Sequence, residues 1–327
     1  SECVQIITKQ LFDEPVDFVF SINFFPYLSD VCQIFKLPYL CWSVDSPVME
    51  LFSASIEHPC NRIFLFDRAQ YNEILPLNPD HVFHLPLAVN IASKQQVIQS
   101  ASTELHNHFS SDISFVGSLY TEKCPYDKLT DAPAYLSGYL DGLIESQILI
   151  YGGFLIEDLL TDDIIDQFKQ HLPGFYYPPY DSHLTDRKIV AQLYISSKIS
   201  AVERVRTMEY LSKKYAVDLY TASDTSALTH IHNRGLAKTM EEMPLIFHNS
   251  YINLNITSKG IRSGIPLRVF DILGCGGFLL TNYQTELAEL FVPGEDLIVY
   301  DSIEDLSEKC SYYLSHESER KEIAHNG

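Results

Sequence analysis

The sequence predicts an α/β protein of two doubly wound domains with a cleft between them, and three observations carry that prediction. The first is the run 251–300, YINLNITSKGIRSGIPLRVFDILGCGGFLLTNYQTELAELFVPGEDLIVY, which alternates strand-like and helix-like patterns. It reads as strand, Gly-containing loop, short helix opened by Pro266 and closed by Gly276 and Gly277, strand, helix and strand. The second is the first 120 residues, where short β-rich runs apolar on both faces recur at intervals of about 20 residues, the pattern of a parallel sheet covered by helices. The third is length: 327 residues suffice for two domains of ordinary size, each burying its own core.

Taken in order, residues 1–12 read as a helix already under way that leads into a strand at 17–23. A doubly wound domain ordinarily places a strand and turn before such a helix. There is also no initiator Met, and the chain stops at His325-Asn326-Gly327 in or just after a helix, so both ends are expected to continue beyond this window. The strands DFVFSIN (17–23), YLCWSVD (39–45), RIFLFD (62–67), VFHLPLA (82–88) and DISFVGS (112–118) are assigned to the first sheet. Their carboxyl ends carry Asn23, Asp45, Asp67 with Arg68, Pro86, and Gly117 with Ser118. Ligands of open α/β sheets collect at that edge, so these residues should face the cleft. Residues from 127 to about 183 turn helical and acidic, as a helical insertion or the closing helices of the first domain, and the Pro-Tyr segment 176–180 reads as a bend. The first domain is therefore placed at 1–190 and the second at 191–327. In the second, Ser200-Ala201-Val202-Glu203 reads as a capping box ahead of the stripe Val202, Val205, Met208 and Leu211. VDLYT, YINLNI, GFLLTN and LIVY then supply its strands.

Composition narrows the function. The 43 acidic and 23 basic residues leave a formal net charge of -20, spread along the chain, which opposes nucleic acid and anionic membrane as partners. Against that field Lys259, Arg262 and Arg268 stand out as a local basic group. Seven cysteines, odd in number and never spaced C-x-x-C, suit free thiols in a reducing compartment, so a cytoplasmic location is expected. No signal peptide is visible, and no apolar run approaches the ~20 residues of a spanning helix.

The loop ending Ser263-Gly264-Ile265-Pro266 delivers the chain to a helix N-terminus, where free N–H groups and the helix dipole favour a phosphate. Arg268 and Asp271, three apart, share a face of that helix. As a solvent-exposed pair they would be worth ~0.3 kcal/mol; on an otherwise apolar helix they read better as a ligand-facing pair. Lys259, Asn255 and Thr257 follow the strand YINLNI and are expected to reach the same cleft and to touch phosphate there. Asp45, held open by Ser46-Pro47, is the candidate base of the first domain, with Asp67 as second choice. No Asp-x-Asp occurs, and the His106/His108 and His230/His232 pairs lack a partner at metal spacing, so no metal is expected.

The strings GIPLRVFDILGCGGFLLTN, ELFVPGEDLIVY and YYLSHESERKEIAHNG resemble the C-terminal domain of the CgeB-like (spore-maturation) bacterial glycosyltransferases, of the glycosyl-transferase group 1 superfamily and GT-B fold. DFVFSINFFPYLSDVCQIFKLPYLCWSVDSP, CNRIFLFDRAQY and HLPLAVN resemble the N-terminal domain found with it. The resemblance implies two Rossmann-like domains across a cleft. It further implies a UDP-linked sugar nucleotide held mainly by the second domain and a protein or cell-surface glycan as acceptor. No cofactor is implied beyond that co-substrate. It places Asp271 where the superfamily usually has a ribose-binding glutamate, and matches Arg268 to a basic residue of the same helix that neutralises diphosphate. Ser263 stands where retaining members keep a glutamate, which leaves the stereochemical outcome open. A sugar-nucleotide epimerase of the same fold and a non-catalytic sugar-nucleotide-binding module remain alternatives.

Overall fold

The computed structural model describes residues 2–122 and 124–327, so Ser1 of the opening helix lies outside it. The protein is α/β, with two Rossmann-like parallel sheets. The first holds β1 (Val19–Ile22), β2 (Tyr39–Ser43), β3 (Asn61–Leu65) and β4 (Val82–His84) in that spatial order. The second holds β5 (Ser111–Val116), β6 (Val217–Tyr220), β7 (His232–Asn233), β8 (Ser250–Asn255), β9 (Leu279–Asn282) and β10 (Ile298–Tyr300), in the order β10-β9-β8-β5-β6-β7. Its winding reverses at β5, the topological switch point where α/β sheets open a crevice.

The strand at 112–118 thus belongs to the second sheet, a correction to its assignment to the first. Phe115 pairs with Leu254 of β8 on one side and Leu219 of β6 on the other. Both partners lie more than a hundred residues downstream, and local apolar patterning cannot say which sheet a doubly buried strand joins. The chain crosses between sheets after β4. The helix Ile91–Ser100 is then fastened to the second unit by Lys94, 3.2 Å from Asp271, and by Gln95, whose Nε2 donates to the Gly274 carbonyl.

The segment between β5 and β6 forms its own helical core, with Leu136, Leu140, Ile164, Phe168 and Ile195 buried together. It returns to the first sheet where His183 N–H donates to the Phe52 carbonyl. The capping box expected at Ser200 is not a helix start. Thr185 caps a helix at Asp186–Ile189 that continues through a π-turn, Val190–Ile195, into Ser196–Ser212, so Ser200 lies in mid-helix and donates back to the Ser196 carbonyl. Ser200 and Glu203 have tertiary partners that a capping pattern mimics in sequence.

The strands of the first sheet advance in one direction. Right-handed crossovers then place Pro26–Phe35 and Arg68–Ile74 on one face, over a core of Cys32, Tyr39, Cys41, Ile63, Leu65 and Val82. Phe20, Ile22 and Phe83 lie on the other face and are exposed. Among the described residues no helix is long and apolar enough to cross a membrane.

Candidate functional site

A cavity of about 320 Å³ lies between the carboxyl edges of the two sheets. Val44 and Asp45, past the end of β2, line it from the first domain. Gly117 after β5, Asn255 and Thr257 at the end of β8, and Pro266 with Arg268 at the head of the helix Leu267–Gly274 line it from the second. Six of the ten candidate residues named from sequence are therefore brought to one cavity.

Two guanidinium groups dominate its electrostatics. Arg268 lies with its guanidinium 5.1 Å from the Phe247 ring and 3.7 Å from the Asp271 carboxylate. Arg204, from the helix Ser196–Ser212, donates to the Ser118 and Ile256 carbonyls at 2.6 Å each and lies 4.6 Å from the Tyr120 ring. Burial pushes the Arg268 pKa down; Asp271 opposes that shift, and the like charge of Arg204 adds to it. Burial also lowers Arg204, with Tyr120 and Glu203 opposing. Two partly desolvated cations that disfavour one another in one cavity are eased by an anion between them. The helix Leu267–Gly274 has no side-chain cap at its N-terminus, so its first turn adds N–H donors to the same wall, apart from Val269 N–H, which donates to the Pro266 carbonyl.

Sequence reasoning passed over Arg204. A signal was present: Arg204, Met208 and Leu211 are spaced four and three apart, so the guanidinium springs from the buried face of its helix, where a charge needs a reason.

Asp45 is exposed at the cavity's rim and accepts a 2.7 Å hydrogen bond from Asn23 Nδ2. Asn23 Oδ1 in turn accepts from the Val44 and Asp45 N–H groups at 3.0 and 3.3 Å. Asn23 holds a left-handed backbone, φ 62°.

Asp67, Gly264, Lys259 and Asp271 do not line the cavity. Asp67 is fully buried between the domains: its Oδ2 accepts from Ser46 Oγ and Arg262 N–H, and its Oδ1 from the Ala69, Ser263 and Gly264 N–H groups. Ser263 Oγ lies 2.8 Å from that carboxylate and 2.7 Å from Glu286, which also meets His84 Nε2 at 2.9 Å. A carboxylate so occupied joins domains and has no free lone pair directed at the cavity. Gly264 serves the same junction, since a Cβ there would stand 2.8 Å from Asp67 Cα. Lys259 turns inward to Glu203 at 3.3 Å and over the Tyr151 ring at 4.3 Å. Asp271 turns to Lys94. Nearness in sequence to a strand end does not bring Lys259 to this cavity or to phosphate there, because buried Glu203 holds the ammonium away from it. Among the described residues no group of three or more His, Cys, Asp or Glu is placed to hold a metal ion.

Residues 201–327 match the model of a family described as glycosyl transferase-like. No match is found among curated proteins. Among solved structures the chain is similar to HepE of Anabaena, solved in complex with UDP and glucose, at 8% identity and a TM-score of 0.53 over 100% of this chain and 75% of that one. A glycosyltransferase from Rickettsia africae is similar at 10% identity and a TM-score of 0.54, over 99% and 73%. A UDP-forming α,α-trehalose-phosphate synthase from Burkholderia xenovorans is similar at 13% and 0.51, over 99% and 72%. The likeness is one of fold: two Rossmann-like parallel sheets, the arrangement shared by these glycosyltransferases of GT-B type.

Proposed function

We propose that the chain is a GT-B glycosyltransferase that moves a sugar from a nucleoside-diphosphate donor to an acceptor hydroxyl. One observation carries the reading: Arg204 and Arg268 line the same cavity beside a helix N-terminus, a built anion site in a protein of net charge -20. The family match over the segment that supplies Arg204, Arg268 and the Leu267–Gly274 helix supports it, as does the UDP bound in the HepE complexes.

In this reading the diphosphate lies between the two guanidiniums and the helix N-terminus, which stabilise the departing charge without a tightly bound metal. Asp45, on the facing wall, accepts the proton of the acceptor hydroxyl. The donor is UDP-linked, the acceptor a protein or cell-surface glycan, and the enzyme a CgeB-like bacterial protein of the cytoplasm.

Titration calorimetry with UDP tests the anion site. Arg268→Ala and Arg204→Ala should each weaken UDP binding by ~1–3 kcal/mol. UDP that binds both variants as tightly as the unaltered protein removes the guanidiniums from the site. A sugar nucleotide that binds and is released unchanged with every acceptor reduces the protein to a binding module.

A further inference from the structure

The structure assigns a positioning role to Asn23: it holds the Asp45 carboxylate at the cavity rim in the orientation that proton transfer needs. The inference rests on the reading of Asp45 as the base. Asn23 follows β1, and Asp45 lies just past β2, the neighbouring strand. Asn23 N–H donates to the Trp42 carbonyl at 2.9 Å, so its backbone is tied to the strand that leads to Asp45.

The side chain divides its work between its two polar atoms. Oδ1 accepts the Val44 and Asp45 N–H groups and sets the turn, and Ser43 Oγ joins them at 3.3 Å. Nδ2 donates to Asp45 Oδ2 at 2.7 Å and engages one carboxylate oxygen, which leaves Oδ1 for a substrate hydroxyl. A left-handed backbone at φ 62° is uncommon outside glycine, and asparagine is the side chain that both tolerates it and bonds locally. Glycine would satisfy the backbone alone. Asparagine satisfies the backbone, the turn and the carboxylate together. Such a conformation at the edge of a ligand cavity is where stored strain accompanies function.

Asn23→Asp isolates the contact to Asp45. An aspartate keeps an oxygen for the two backbone N–H groups and still tolerates the left-handed region, but puts a carboxylate oxygen where the N–H donor stood, 2.7 Å from Asp45 Oδ2. Loss of orientation of a reacting group costs on the order of 10²-fold in rate. With a panel of UDP-hexoses and UDP-N-acetylhexosamines, and UDP release to water or to added glycan as the assay, kcat of Asn23→Asp and Asn23→Gly should fall 10- to 100-fold. UDP affinity by calorimetry should stay within twofold, because the anion site lies on the other wall.

Asp45→Asn is measured beside them. If Asp45→Asn turns over like the unaltered protein, or no sugar nucleotide is turned over at all, the base reading fails and this inference falls with it. If Asp45→Asn is inactive while Asn23→Asp keeps full kcat, Asp45 stands as base and the positioning role of Asn23 is overturned. A kcat loss in Asn23→Asp accompanied by an equal loss of UDP affinity also overturns it, since that marks general damage to the cleft.

Discussion

Asp67 illustrates how far one carboxylate's role depends on its neighbours. At the end of a strand on the cleft side it has the position of a catalytic base, yet the loop 262–264 and Ser46 occupy its oxygens. Replacement by Asn turns one acceptor into a donor that faces other donors, leaving buried N–H groups unpaired at ~1–3 kcal/mol each. Asp67→Asn should therefore lose about 2–4 kcal/mol in urea unfolding; unchanged stability would mean that the loop has other anchors. Asp45, a residue of the same type at the corresponding place one strand over, keeps an oxygen open to the cavity. The sequence shows both as strand-end aspartates, and the Ser46-Pro47 turn that favours Asp45 says nothing of their partners, which come from about 200 residues downstream for Asp67 and about 20 upstream for Asp45. Cys41, in the apolar run PYLCWSVD, reads from sequence as a buried free thiol; it and Cys275 are both buried free thiols, and burial pushes each up to about 12.

Among the elements, the helix Ser196–Ser212 does most to set the site. It sends Ser200 to the Lys259 N–H, Glu203 to the Lys259 ammonium and Arg204 into the cavity, and so fastens the 257–264 loop from below. Burial raises the Glu203 pKa, with Lys259 the main opposing influence. A carboxylate whose folded pKa lies above its unfolded one makes folding take up a proton between the two values. Its contribution to stability is greatest below the ordinary carboxylate range and declines as pH rises through the raised value. Glu203→Gln is neutral throughout, so the pH dependence of Tm above about pH 4.5 should be flatter in the variant than in the unaltered protein, as differential scanning across the acid range would show. Parallel curves would remove Glu203 as a source of that slope. The helix itself was legible from its apolar stripe. Its start was not, because Ser-x-x-Glu is a capping signal only where the preceding residue leaves the helix, and residues 190–195 stay helical.

For the whole molecule, the contact between domains is made by backbone at close range. A Cβ at Gly264 would meet Asp67 Cα at 2.8 Å and the Phe66 ring at 3.0 Å, and one at Gly260 would meet Pro47 Cδ at 2.5 Å. Gly264→Ala must part the two carboxyl edges by a few tenths of an ångström. It should cost about 1–3 kcal/mol of stability and raise the donor KM, as scanning calorimetry and donor titration would measure; an unaltered Tm would show that the junction yields without strain. The cleft's electrostatics work at this scale too: 43 acids repel an anionic donor everywhere except where Arg204, Arg268 and a helix N-terminus converge.

By itself the sequence determined the α/β fold class and most of the elements that line the cavity. Parallel strands, the helix after Pro266, the basic residue Arg268 and the carboxylate Asp45 all follow from periodicity, capping and composition, which act within a few residues of the chain. Only the tertiary structure decided that β5 completes the second sheet, that Asp67 and Gly264 join domains, that Lys259 and Asp271 are held by Glu203 and Lys94, and that Arg204 enters the cavity. Each of those outcomes is settled by a partner distant in sequence, and the low-dielectric interior makes the pairing of a buried charge the deciding energy.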